Sequence, residues 1–265
     1  MSESSLSIGF PELQIEVGYL LGYGRTPANW SVAQEALIDS IVQSGVRRVY
    51  FPPAVSDGKR IVEAGYEWSW LRPTTTLVIE SGTADYDLPD DFSRLVGNFH
   101  YAEAEYKNPI TQFSVGDILA SRARTSTTGI PYKCAVRFKE CDGTTGSRQE
   151  VLFYPEPDGD YTLSYEYEAY TGALSDDAPY PLGGMKMGEL FIESCLAVAE
   201  ARMDQEAGIH TATFQTLLID AIMRDKKQGA VHYGQMGSRG NEAREFHRGY
   251  DGTVHECYYN GELLE

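Results

Sequence analysis

A double change of hydrophobic period sets the fold class of this chain. Residues 11–45 and 189–229 repeat their apolar positions at the helical spacing, while the stretch between them alternates with a period of two. Helices at both ends with strands between them make an α+β chain: an antiparallel helical bundle into which a β region is inserted.

The helical blocks carry their own punctuation. Pro11 fits the first helical position, Glu12 and Glu16 lie near the positive end, and Leu13, Val17, Leu20 and Leu21 form one stripe that Gly22-Tyr23-Gly24 ends. Ser31 and Gln34 form a capping box ahead of Leu37, Ile38, Ile41 and Val42, and Gly45 closes that run. The short Thr-Pro-Ala-Asn connection makes these an antiparallel pair. The second pair runs from Glu189 to Ala207 and from Thr211 or Thr213 to Gly229, with Phe214, Leu217, Leu218, Ala221 and Ile222 on one face.

In the inserted region, Tyr66, Trp68 and Trp70 alternate as in a strand before Pro73, and "TTTLVIE" is a second strand. A third is expected over Leu95 to Ala104, and Ser114 with Asp117 caps a short helix. Tyr132, Cys134, Val136 and Phe138 share a face opposite Lys133, Arg137 and Lys139. Turns at Asp142-Gly143 and Asp158-Gly159 continue this strand into Val151–Tyr154 and Tyr161–Tyr167 as a three-stranded antiparallel meander, with Glu166 and Glu168 facing the basic residues of its first strand. The expected organisation is a helical bundle from 11–50 and 185–229, a mainly-β insertion at 51–184, and an extended arm at 230–265. The arm is glycine-rich yet carries Phe246, Tyr250, Tyr258 and Tyr259, which suits a segment that orders on a neighbouring chain, a strand added to a partner sheet being one physical mode.

Charge removes whole classes of function. Lys and Arg total 22 against 39 Asp and Glu, a formal net charge of −17. Such a surface repels DNA and anionic membrane faces. No run of apolar residues is long enough to span a bilayer, and "MSESSLSIGF" has neither the basic n-region nor the apolar h-region of a signal peptide, so export is not expected. Cys134, Cys141, Cys195 and Cys257 are scattered, as free thiols of a reducing cytoplasm would be.

Motifs for chemistry fail one by one. "DYDLPDDF", Asp85 to Phe92, has Pro89 and Asp90 where a calcium loop needs a ligand and a glycine, and Val96 where it needs a bidentate glutamate. Tyr86, Leu88 and Phe92 instead anchor a turn stiffened by Pro89, leaving Asp91 and its neighbours wet. Gly22-Tyr23-Gly24 follows a helix rather than a strand, "GGMKMGE" lacks a phosphate-loop ending, and His255-x-Cys257 has no second pair to complete a zinc site. Asp90/Asp91 and Asp176/Asp177 could serve a hydrolase but suit solvated turns. No metal and no cofactor is expected. Trp68 and Trp70 could stack on a sugar, or could cover the helices or a subunit boundary.

Three stretches together resemble a known family. They are "LQIEVGYLLGYGRTPANWSVAQEALIDSIVQSGVRRVYFPP", "YEWSWLRPTTTLVIESGTADYDLPDDFSRL" and the helix pair after the sheet. This layout, over roughly residues 11–228, is similar to the head-to-tail adaptor (connector, or neck) proteins of tailed bacteriophages. Tyr86, Leu88, Pro89, Asp91 and Phe92 match a turn that recurs in phage neck and tail-tube adaptors. The resemblance implies a non-enzymatic virion protein, assembled in the host cytoplasm, that forms a ring, commonly twelvefold, between portal and tail. The ring would extend the DNA channel and dock tail or nozzle proteins, and DNA would pass without specific binding. An acidic lumen would suit that passage. The alternative is a carbohydrate-binding tail accessory module built on Trp68 and Trp70.

Overall fold

The computed structural model describes residues 3–56, 61–62, 64–102, 108–125, 127–142, 146–204, 207–228, 258–259 and 262–263. Residues 1–226 form one compact unit and 227–265 a second. The fold is mixed α+β, with five α-helices among the described residues.

Four of the helices are α1 (Phe10–Leu20), α2 (Val32–Tyr50), α4 (Gly188–Asp204) and α5 (Ile209–Gln228); α2 begins at its predicted cap, α1 one residue before Pro11, and α5 at Ile209, ahead of both Thr211 and Thr213. Ser31 Oγ accepts from Gln34 N while Gln34 Oε1 accepts from Ser31 N, the reciprocal box expected there. Gly45 does not end α2, which runs on to Tyr50. A Cβ at Gly45 would lie 2.7 Å from Cys195 Cα, so this glycine permits close packing of α2 on α4 rather than termination. Leu13 and Val17, Ile38 to Val49, Phe191 to Ala199, and Phe214 to Ile222 contribute to one buried cluster. Helices from before and after the sheets therefore share a core.

Two sheets hold the middle of the chain. Strands β3 (Thr74–Ile79), β9 (Tyr161–Ala169) and β5 (Phe92–Tyr101) form one, in the order β3-β9-β5. Strands β4 (Asp85–Asp87), β8 (Gly146–Tyr154), β7 (Lys133–Asp142) and β6 (Thr111–Gln112) form the other, in the order β4-β8-β7-β6, with β6 parallel to β7. A minor ribbon pairs β1 (Val55–Ser56) with β2 (Ile61–Val62).

The expected meander is therefore corrected. β7 and β8 do pair, but β9 crosses to the other sheet and lies between β3 and β5. The reason is burial: Leu163, Tyr165 and Tyr167 point into a core that they share with Phe92, Leu95 and Phe99 from β5 and Cys134, Val151 and Phe153 from the facing sheet. Glu168 meets Arg94 of β5 rather than the basic residues of β7. Those have partners of their own, Arg137 with Glu150 and Lys139 with Asp87. The second face of β7 and β8 is covered by α3 (Val115–Arg124), whose Ile118 packs on Ala135 and Leu152. Ser114 caps α3 by accepting from Asp117 N.

Candidate assembly surface

Residues 85–92 are a short strand followed by a turn, rather than a turn alone. Asp85, Tyr86 and Asp87 pair with Leu152, Val151 and Glu150 of β8, and Phe92 N donates to Pro89 O at 2.9 Å to close the bend. Tyr86 also ties the strand back to the residue after β3: its Oη accepts from Glu80 N at 2.6 Å and donates to Glu80 O at 3.1 Å. Leu88 and Phe92 are buried, and the Phe92 ring stacks on Tyr167 with centroids 5.5 Å apart.

Each aspartate of this block has its own partner. Arg122 donates to Asp85 at 2.6 Å and Lys139 to Asp87 at 2.7 Å, Arg148 lies 3.7 Å from Asp90, and Tyr167 Oη donates to Asp91 at 3.0 Å. Carboxylates turned to separate partners do not converge on one ion. Among the described residues no group of three His, Cys, Asp or Glu could hold a metal. The Asp91 bond has a cost for its donor: burial first, then the neighbouring carboxylate, pushes the Tyr167 hydroxyl up to about 12. Burial likewise pushes the thiols of Cys134 and Cys195 up to about 12, which leaves them inert as nucleophiles.

The aromatic alternation at 66–70 is not a strand. Ser69–Leu71 is a single 3-10 turn, and the Ser69 N–H that a ladder would use donates instead to Asp225 at 3.0 Å. Tyr66 Oη and Ser69 Oγ donate to the same carboxylate, which is buried on α5. This strap drives Trp68 fully into the helical core, where its indole N–H donates to Val49 O at 2.8 Å. A sugar cannot stack on a ring at 0% exposure, so the carbohydrate platform loses one of its two faces.

Trp70 is half-buried, stacked on Trp68 at 5.3 Å. It lines an open recess of about 450 Å³ together with Tyr50, Pro73, Tyr170, Tyr180 and Leu182. The rim is apolar and wet: Tyr170, Tyr180 and Leu182 are each about half exposed, and Phe51 rests against Tyr170 with ring centroids 6.2 Å apart. The Trp70 indole N–H is buried with no acceptor among the described residues. Sequence reading found Trp70 but missed the rim, because Phe51, Tyr170, Tyr180 and Leu182 lie in Pro-, Gly- and Asp-rich connections that carry no period. Of the candidates in the arm, Phe246 and Tyr250 lie outside the described residues, as do His255 and Cys257. Tyr258–Tyr259 is strand β10, paired antiparallel with β11 (Glu262–Leu263) in a short hairpin.

The helix–sheet–helix frame is matched as a whole by a family model, described as SU10 adaptor protein, over residues 10–239. The chain belongs to the SU10 adaptor protein family. This is a head-to-tail adaptor family of bacteriophages, so the chain is a structural phage protein of the virion that interacts with other head or tail proteins. No curated protein matches it. No helix among the described residues of this SU10-family adaptor is long and apolar enough to cross a membrane. The Asp85–Phe92 block, which pointed towards the family, has an architectural role: its ion pairs tie β4 to α3 and β7, and the turn after it to β8.

Proposed function

We propose that this adaptor forms a homo-oligomeric, dodecameric ring between portal and tail, without catalysis of its own. The ring prolongs the DNA channel and docks tail or nozzle components. The family match over residues 10–239 carries this reading. Helical segments 11–50 and 185–229 build the body of the ring by lateral packing, the inserted region 51–184 and the aromatic recess beside Trp70 meet neighbours, and the arm 230–265 reaches the next copy. A net charge of −17 per copy supports a lumen that lets phosphates pass without holding them.

Electron microscopy of the purified full-length chain, alone and mixed with its portal, tests the proposal. Closed rings seated on the portal are expected. A chain that stays unassembled beside the portal, and is missing from mature particles, overturns it.

A further inference from the structure

We infer that the open edge of β3 is a docking site for a β-strand supplied by residues 253–259 of a neighbouring copy. This rests on the ring reading above and names one contact within it.

Four strands border the two main sheets, and three are protected. β4 and β6 offer only three and two residues. β5 is broken by register shifts around Gly97 at φ +82, carries Arg94 and His100, and has Phe92 O and Ser93 O occupied by the Gln149 amide at 3.2 and 2.9 Å. Bulges, charges and shortness are the devices by which sheet edges avoid pairing with other chains. β3 has none of them. It is six residues long, Thr-Thr-Thr-Leu-Val-Ile, uncharged, and in unbroken register with β9 from Thr74↔Glu166 to Ile79↔Tyr161.

The register shows which backbone groups are free. Tyr167 N donates to Pro73 O, so Pro73 opposes Tyr167 as a hydrogen-bonded pair, and the pairs two residues on, at Thr75, Leu77 and Ile79, also bond to β9. Thr74, Thr76 and Val78 then turn their N–H and C=O groups to the open side, and no backbone bond reaches them there among the described residues. Their side chains are exposed, Val78 at 58%.

The occupant follows from length, conformation and symmetry. Thr-Val-His-Glu-Cys-Tyr-Tyr at 253–259, seven residues, is long enough to cover the six of β3, and its last two residues are already the strand β10. β10 pairs with β11 on one side, and among the described residues no strand lies on its other side. Residues 229–252 can span roughly 80 Å when extended, enough to reach the next copy. Pairing of β3 with a second β3 would be isologous and stop at a dimer. A closed ring needs two different surfaces, and an edge with a donated strand provides them.

The test uses full-length protein assembled on its portal, with the photoreactive residue benzoylphenylalanine in place of Thr76, in mixed isotope-labelled and unlabelled copies. Irradiation should give a covalent ladder whose crosslinked peptides join residue 76 of one copy to residues 253–259 of another. Crosslinks confined to one copy, crosslinks to a different segment or protein, or none in rings that do form would overturn the inference. Thr76→Pro supplies a second readout, because it removes only an N–H on the open side and keeps the bonds to β9. This variant should fold by circular dichroism yet lose rings at least tenfold. Normal rings from Thr76→Pro would sink this contact alone, whereas a wild-type chain that makes no rings would sink the ring reading with it.

Discussion

Gly45 lies so close to Cys195 that a Cβ placed on it would come 2.6 Å from Sγ and 2.9 Å from the backbone N. The contact is with backbone as well as side chain, so no rotamer change at Cys195 can relieve it. Gly45→Ala in a helix interior would ordinarily gain about 1 kcal/mol from propensity. Here overpacking, typically about 1–3 kcal/mol or more, should outweigh that gain and push α2 away from α4. Thermal unfolding of the variant should show a lower Tm, and an unchanged or raised Tm would refute the close approach.

Asp225 is the acceptor for three donors, from Tyr66 Oη, Ser69 N and Ser69 Oγ, inside the protein. Asp225→Ala removes the acceptor and strands all three, at roughly 1–3 kcal/mol for each donor left unsatisfied and out of water. A total loss of about 3 kcal/mol is expected, since Tyr66 and Ser69 are only partly buried or exposed and water can replace part of it. Asp225→Asn retains one good acceptor oxygen and should lose less. Denaturant unfolding would rank the three proteins. Equal stability of the alanine variant and the parent would show that the strap does not depend on this carboxylate.

What was legible in the sequence was local. The Ser31–Gln34 box, the Ser114 cap and the strand at Thr74–Ile79 depend on neighbours a few residues away, so spacing alone exposes them. Gly45 was misleading because glycine ends helices and also lets them touch, and only the position of Cys195 decides between the two. Likewise, β9 alternates as any strand does, but its choice of partner rests on Thr74–Ile79 and Phe92–Tyr101, far back in the chain. The aromatics at 66–70 alternate for a different reason: Asp225, about 155 residues later, takes the N–H that pairing needed. At the candidate surface, Trp70 was visible as a large aromatic, while its rim of Phe51, Tyr170 and Tyr180 assembles from connections without period.

Arg122 and Asp85 invite a comparison of two deletions. Arg122 Nη2 donates to Asp85 Oδ1 at 2.6 Å, to Phe153 O at 2.9 Å and to Ala84 O at 3.2 Å. Both side chains are partly exposed, so the charge pair itself is screened and contributes less than about 1 kcal/mol. Asp85→Asn should therefore change stability little. Arg122→Ala also takes the donor from Phe153 O, while Ala84 O keeps its bond from Phe153 N, and should cost more, about 1–2 kcal/mol. A double-mutant cycle measures the pair directly, and a coupling above about 2 kcal/mol would mean that Asp85 is far better shielded than its exposure implies.

Alkaline unfolding should follow the buried tyrosines. Burial is the leading cause that raises the hydroxyls of Tyr50, Tyr66, Tyr101, Tyr165 and Tyr167 above the ordinary value near 10, with Tyr165 and Tyr167 reaching about 12. A raised folded-state value means that the native protein holds these protons more tightly than the unfolded chain does. Their contribution is complete below about pH 10, where both states are protonated. Between about 10 and 12 the unfolded chain gives up protons that the native state keeps, so stability falls as the pH rises. Tyr167 adds to the effect because its phenolate would face the Asp91 carboxylate. Phenolate absorbance recorded with circular dichroism should show the exposed tyrosines ionising first, and the buried set ionising only together with loss of structure. A single ionisation of every tyrosine near pH 10 with the fold intact would contradict the packing of β9 against β3 and β5.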